Sequence, residues 1–428
     1  MTILPQELLD HILDYHHASV SSLSSSSLVS RSWLPTTRYH LFRIPVLYQK
    51  SFGRSPRDNT KTFLELLDSP LCTFRHTIQG CVLNIEFRDR LHRCINALGI
   101  HTTLTETLLI TQYLGDISLT DSLKIPQRFS SIRSFVYSNM SHVWCSDLPQ
   151  LITSLPHLDS LAIFTNIFRS VRVTLPDFPT MQGQQSFLPN LRRLRLRMAN
   201  PSLILQWILN HSCYTPQIDT LDIMICHNSS TGWGLVEALE PFLKANSDTL
   251  KNLSIGLDYD LDLHHELNDH TIPQLHMGNL PNLRSLTLQT HDIDALRQST
   301  FSLLTGHQSV LDVLTLDLVP FIPVEGSYDE DHFRAILGEC LNIDFSNKVK
   351  SLRVNILCPV IPCDRGYLGL AQTLSVGLLP KWEHIGKLEV RIIRGRKWQV
   401  DSVEYINRRI WGSADVPYTE KFTRIGTL

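Results

Sequence analysis

The chain has 428 residues, 43% of them hydrophobic and 19% charged, with a formal net charge of −2. That length and balance suit a folded protein of two domains or one long repeat array, and they exclude a bulk electrostatic attraction to nucleic acid or to membrane surfaces. No stretch approaches the roughly 18 consecutive apolar residues of a membrane span. The nine cysteines (72, 81, 94, 145, 213, 226, 340, 358 and 363) are scattered and odd in number. They argue for a reducing compartment rather than a disulfide framework. The start carries neither a basic n-region nor an apolar h-region, so a cytoplasmic or nuclear location is expected.

The first fifty residues predict three short helices. Pro5 suits the first position of a helix, where its missing N–H costs nothing. Leu8, Leu9, Ile12 and Leu13 then share one face. Leu28, Val29 and Trp33 repeat that stripe on a second helix, after a serine run. Pro35 opens a third, with Leu41 and Phe42. Helices this short bury little surface alone, so their apolar faces call for further cover.

The pattern Leu-Pro-x-Glu-Leu-Leu-x-x-Ile-Leu, then Leu-Val-x-Arg-x-Trp, then Arg-x-His-Leu-Phe resembles an F-box, with a closing part like that of fungal members. The resemblance covers residues 1–50. It implies docking on the Skp adaptor of a Skp–cullin–F-box ubiquitin ligase, and through it on cullin. The positions it assigns to adaptor contact are Leu4, Pro5, Leu8, Ile12, Leu28, Val29 and Trp33. This chain departs from the pattern at Ser24, Ser26 and Ser30, where F-boxes carry more apolar or Cys residues. Each serine lowers helix propensity by about 0.5 kcal/mol relative to alanine. Val20–Ser27 thus also reads as a polar linker between ordinary core helices.

Residues 51–75 read as a linker. Beyond them an apolar pattern at i, i+3 and i+5 recurs every 27 to 38 residues over its main copies. Those copies begin at Leu158, Leu191, Ile218, Leu250, Leu283, Leu311, Val349 and Ile385, and weaker ones at Ile78 and Ile132. Helical stripes precede several of them: Leu148–Leu155, Leu203–Leu209, Leu235–Leu243, Ile293–Leu304 and Phe333–Leu341. Pro156-His157, Pro189-Asn190, Pro216-Gln217 and Pro281-Asn282 sit directly before a triplet, where proline stops helix and extends the preceding residue. The unit is helix, turn, short strand. Stacked units place a parallel sheet on one side and helices on the other.

The Leu-x-x-Leu-x-Leu core of this unit resembles the leucine-rich repeat family, in the irregular form found after F-boxes, over residues 76–395. The fold class expected is α/β: a short all-α F-box followed by an irregular leucine-rich-repeat-like solenoid, with 396–428 as a cap or tail. The family's Asn or Cys slot, eight residues after the first leucine, is met at Asn166 and Cys226. It is missed at Ala199, Asp258, His291, Val319 and Leu357, which implies looser turns than a regular horseshoe.

Catalytic motifs are missing. There is no glycine-rich phosphate loop and no nucleophile elbow, so an enzyme is not expected and no cofactor is implied. Cys358 and Cys363 lack the second pair of a zinc site. Asp258, Asp260 and Asp262 begin like a calcium loop, but Leu263 stands where glycine is needed. His264, His265 and His270 nearby read as part of a solvated loop. One candidate surface remains. Residues i+2, i+4 and i+6 of each strand face away from the triplet. Arg193, Arg195 and Arg197 therefore share one face, beside Ser160, Ala162 and Phe164 on one side and Thr220, Asp222 and Met224 on the other. In a leucine-rich solenoid that face is concave. Three arginines there can grip a carboxylate or phosphate of a client; equally, they can form a solvated sheet edge with Asp222 as partner. The function implied is a substrate receptor for ubiquitin transfer, holding an unknown client on the repeats. The alternative is a repeat scaffold that uses the F-box only as an adaptor-binding site.

Overall fold

In a computed structural model, the structure describes residues 5–16, 20–49, 59–85, 93–94, 96–98, 106–112, 131–139, 148–165, 188–198, 201–211, 217–226, 232–258, 280–290, 310–318, 348–358 and 388–394. They fall into two compact units, the first reaching Thr165 and the second running from Leu188 to Arg394. Both are α/β, with parallel strands in chain order and helices between them. The cap or tail expected at 396–428 lies outside the described residues.

The first unit opens with α1 (Gln6–Tyr15), α2 (Val20–Ser26), the 3-10 turn Arg31–Trp33 and α3 (Leu34–Phe42). Pro5 precedes α1 as its cap, and its carbonyl accepts the N–H groups of Leu8 and Leu9. Only two of the four apolar residues of α1 point inward: Leu9 and Leu13 are buried, while Leu8 and Ile12 face outward. The second helix differs from expectation. It covers the serine run, anchored by buried Leu23, and ends before Leu28 and Val29. The serines explain the early stop. Ser27 Oγ donates back to the Ser24 carbonyl at 2.6 Å, and Ser30 Oγ accepts the N–H of Ser32 at 3.3 Å, which caps the next turn. Ser, which competes with the backbone in mid-helix, here satisfies the helix end.

Residues 51–75, expected as a linker, hold α4 (Thr60–Asp68). Phe63 and Leu67 on it are buried, and Phe74 lies between Phe63 and Phe42, stacked on Phe42 at a centroid distance of 4.0 Å. Arg75 donates to the carbonyls of Leu67 and Ser69, each at 2.7 Å, and so satisfies the end of α4. An amphipathic segment with Phe63 and Phe74 to bury does not stay in solvent as a tether.

Strand β1 (Val46–Gln49) then pairs with β2 (Gly80–Ile85), followed by β3 (Thr107–Gln112), β4 (Ser134–Asn139) and β5 (Ser160–Thr165). Helix α5 (Leu148–Thr153) precedes β5. The register aligns Cys81, Leu108, Phe135 and Leu161, all buried. Cys72 and Cys81 are free thiols, and burial, with the neighbouring Cys94, pushes the Cys81 thiol well above its ordinary range.

In the second unit β6 (Arg193–Met198), β7 (Thr220–Cys226), β8 (Asn252–Asp258), β9 (Ser285–Thr290), β10 (Val313–Leu318), β11 (Leu352–Cys358) and β12 (Leu388–Arg394) follow one another. Helices α6 (Ser202–His211) and α7 (Gly232–Ala245) precede β7 and β8. The register aligns Leu194, Leu221, Leu253, Leu286, Leu314, Leu352 and Leu388. In this unit the second and third positions of the triplets, from Leu194 and Leu196 to Leu388 and Val390, thus lie on strands in register. The stripes Ile293–Leu304 and Phe333–Leu341 lie outside the described residues.

Two local devices hold the strand entrances. The first is a turn before the triplet, with proline at its second position: the N–H groups of Leu158, Leu191 and Leu283 return to the carbonyls of Leu155, Leu188 and Leu280. The second is a carbonyl ladder. At the residue after each triplet's first position, one carbonyl accepts two N–H groups of the next strand. Arg192 takes Asp219 and Thr220, Asp219 takes Lys251 and Asn252, and Lys251 takes Arg284 and Ser285. This ladder is made by main-chain groups alone.

Candidate functional site

Two surfaces carry the residues singled out from sequence. The first is the N-terminal helical module. Packing Leu9, Leu13 and Leu23 inward turns the opposite side of α1 outward, where spacing of four and three residues aligns Leu8, Ile12 and Tyr15. Their exposures are 51%, 43% and 85%; Leu28 and Val29, in the turn after α2, reach 88% and 66%. Pro5 is exposed and Trp33 is half-buried, while Leu4 lies outside the described residues. Tyr15 was not singled out from sequence, although its spacing from Ile12 was a usable signal.

Polar contacts fix this module. Asp10 accepts from Thr36 Oγ1 at 2.5 Å and from Gln6 Nε2 at 2.9 Å. These hydrogen bonds hold its carboxyl below the usual range. His40 Nε2 lies 2.7 Å from Asp14 Oδ1. Thr37, buried at the turn into α3, donates to the Trp33 carbonyl at 2.8 Å. The Asp10 and Asp14 contacts tie α3 to α1.

The second surface is the sheet face opposite the leucine column. Its chemistry differs between the units. In the first unit the i+4 column is Val46, Val82, Leu109, Val136 and Ala162, in register. The last four form a buried apolar cluster, with Ile44, Val46 and Phe164 packed on it. The expectation that Ala162 and Phe164 line a solvent-facing concave surface is therefore corrected: parity holds, but this face is a second core. Strands buried on both faces read as continuous apolar runs, as Cys81-Val82-Leu83 and Leu108-Leu109-Ile110 do.

In the second unit the same column is Arg195, Asp222, Ser254, Thr287, Thr315, Arg353 and Glu389. It is polar on every strand. Arg193 is exposed, Arg195 and Arg197 are half-buried, and Leu194, Leu196 and Met198 between them are buried. Met224, the neighbour of Arg197, is buried. Arg195 Nε lies 3.7 Å from Asp222 Oδ2, so the ion pair weighed from sequence is present. Further along, Asn355 Nδ2 donates to Asp317 Oδ1 at 2.7 Å, and the buried Asn355 side-chain oxygen Oδ1 has no hydrogen-bond partner among the described residues. The polar run over Thr287, Thr315 and Arg353 was legible at i+4 of each repeat but was not singled out.

Among the described residues no three His, Cys, Asp or Glu side chains group to hold a metal, and no helix is long and apolar enough to cross a membrane. Asp258 ends β8 and Cys358 ends β11; His264, His265, His270 and Cys363 lie outside the described residues. No protein-family model matches the chain, and none of the curated proteins matches it.

Proposed function

We propose that this chain is the substrate-receptor subunit of a Skp–cullin–F-box ubiquitin ligase, docking on the adaptor through its N-terminal helices and holding a client on the irregular leucine-rich-repeat-like solenoid. One observation carries the reading. Leu8, Ile12, Leu28 and Val29, which the F-box resemblance assigns to adaptor contact, are also large apolar residues left exposed on the helical module. Exposed apolar side chains grouped on one small module mark an interaction surface. Burying each against a partner gains roughly 1.5–3 kcal/mol. In this reading the chain performs no chemistry. It raises the effective concentration of a charged conjugating enzyme around the bound client.

The test is capture of purified Skp adaptor and cullin by the full chain. Leu28→Ala with Trp33→Ala should abolish adaptor binding, since anchor residues carry about 2–4 kcal/mol each. Trp33 is half-buried and also packs within the module, so Leu28→Asp with Val29→Asp provides the variant that leaves the fold intact. Undiminished adaptor capture by that folded variant would overturn the reading. Adaptor capture without cullin would leave a scaffold outside the ligase.

A further inference from the structure

Ser30 is one of the serines by which the N-terminal module departs from the F-box pattern, and its setting differs from that of the other serines in the run. Its backbone is extended, at φ −155° and ψ 150°, in the break between α2 and the 3-10 turn. Ser21, Ser24 and Ser25 are exposed but lie on α2, Ser26 and Ser27 are half-buried, and Ser32 belongs to the 3-10 turn. Every residue from Leu28 to Ser32 is exposed. An exposed, extended segment offers both main chain and side chain to a modifying enzyme, whereas a helical serine has its main chain tied into the helix. The Ser30 hydroxyl stays at the surface: its Oγ accepts the Ser32 N–H at 3.3 Å and lies 2.9 Å from Ser32 Oγ, both between exposed residues.

The two residues before it are Leu28 and Val29, each more exposed than Leu8 or Ile12. A phosphate on Ser30 would set a charge of about −1.5 to −2 and three acceptor oxygens directly beside that apolar pair. Arg31 supplies a single positive charge, too little to cancel it. Docking Leu28 and Val29 against an apolar partner would then require stripping water from the phosphate. The fold itself has no such objection. Phosphoryl oxygens can still accept the Ser32 N–H, and neither the core of Leu9, Leu13 and Leu23 nor the Asp10 and Asp14 contacts involve Ser30. Ser27 is the contrast. Its hydroxyl donates to the Ser24 carbonyl at 2.6 Å at the end of α2, so a phosphate there removes the donor and sets negative charge against the helix carbonyls.

We infer that Ser30 is a phosphorylation site that switches adaptor docking off without unfolding the helical module. The inference rests on the receptor reading for what docks there. In the modifying step, Ser30 Oγ attacks the γ-phosphorus of ATP held by a serine kinase. The new O–P bond forms as the bond to the ADP oxygen breaks, the hydroxyl proton passes to the kinase's base, and ADP leaves. Hydrolysis of the phosphoester by a phosphatase restores the hydroxyl.

The experiment uses the full chain with phosphoserine genetically encoded at position 30, beside the unmodified chain and a chain phosphorylated at position 27. Capture of purified Skp adaptor should be about tenfold or more weaker for the chain phosphorylated at 30 and should return after phosphatase treatment. Its thermal midpoint should equal or exceed that of the unmodified chain, while phosphate at 27 should lower it. Incubating the unmodified chain with a eukaryotic cell lysate and ATP should place phosphate on Ser30, read by mass spectrometry, and the Ser30→Ala chain should capture the adaptor normally before and after that incubation. Undiminished capture by the chain phosphorylated at 30, a midpoint lowered as far as by phosphate at 27, or no phosphate on Ser30 after incubation would each overturn the inference. An unmodified chain that captures no adaptor would remove the receptor reading and the switch with it. Equal capture by the unmodified chain and the chain phosphorylated at 30 would remove the switch alone.

Discussion

The side-chain oxygen of Asn246 accepts the backbone N–H of Ile218 at 3.0 Å, joining the turn after α7 to the residue that begins the β7 triplet. Both residues are buried. Asn246 Nδ2 donates to the Phe242 carbonyl at 2.8 Å, and Thr249 Oγ1 donates to the Ile218 carbonyl at 2.9 Å. One turn thus satisfies both backbone groups of Ile218 and a carbonyl of the α7 end. At this repeat the following repeat's asparagine helps to hold the strand entrance.

Replacing Asn246 by Leu would leave the Ile218 N–H buried without a partner. The expected loss is about 1–3 kcal/mol, the cost of an unsatisfied buried donor. Chemical denaturation of the Asn246→Leu variant measures it. Thr249→Val should cost less, about 1 kcal/mol, because it removes a donor and leaves an acceptor with a second lone pair. A neutral Asn246→Leu would show that the turn is held by packing alone.

The leucine column should respond uniformly. Leu194, Leu221, Leu253 and Leu286 occupy one register position and are all buried. Each Leu→Ala change should cost about 2–5 kcal/mol, through lost burial and the cavity left behind. Arg193→Ala, one residue away on the exposed side, should shift stability by no more than about 1 kcal/mol. A costly Arg193→Ala with a neutral Leu194→Ala would invert the proposed faces.

Ser138 is buried in the first unit and its hydroxyl has no hydrogen-bond partner. Ser138→Ala removes a desolvated polar group at the expense of a cavity smaller than one methyl. Stability should rise by about 1 kcal/mol, read as a higher denaturation midpoint. A loss of that size would mean that the hydroxyl is bonded in solution.

Asp10 and Asp312 should each contribute to acid sensitivity. Hydrogen bonds from Thr36 and Gln6 lower the pKa of Asp10, and the Lys350 ammonium, 2.7 Å away, lowers that of Asp312 with a smaller contribution from Arg284. A pKa lower in the folded state stabilises the fold above the unfolded value of about 3.9, and that contribution disappears as pH falls through the folded value. Thermal midpoints should therefore begin to fall as pH drops into the ordinary carboxylate range and continue falling below it. Asp10→Asn and Asp312→Asn should each flatten that limb. An unchanged pH profile in both variants would place the acid sensitivity elsewhere.

Much of the repeat was legible because its signal is local and periodic. Triplets such as Leu250, Leu253 and Ile255 state which side of a strand is apolar within six residues. Two strands escaped that search. At β3 the first slot is Thr105, so the triplet is incomplete although Leu108 and Ile110 follow. At β1 the equivalent positions are Phe42, Pro45 and Leu47, and Phe42 also closes α3. A residue shared between two elements shows the period of neither.

The sequence by itself determined most of the described strands and the burial of one face, since an apolar pattern at i+3 and i+5 leaves a stacked parallel sheet few other ways to hide its leucines. Tertiary structure decided the rest. Leu8 and Leu9 are chemically alike, and only the packing of α1 against α3 and the 3-10 turn sends one outward and the other inward. The i+4 residues of the first unit became a second core while those of the second unit remained polar. Asn246 found Ile218 across 28 residues. These outcomes depend on groups far apart in the chain meeting at hydrogen-bond or van der Waals distance, and no local periodicity encodes such a meeting.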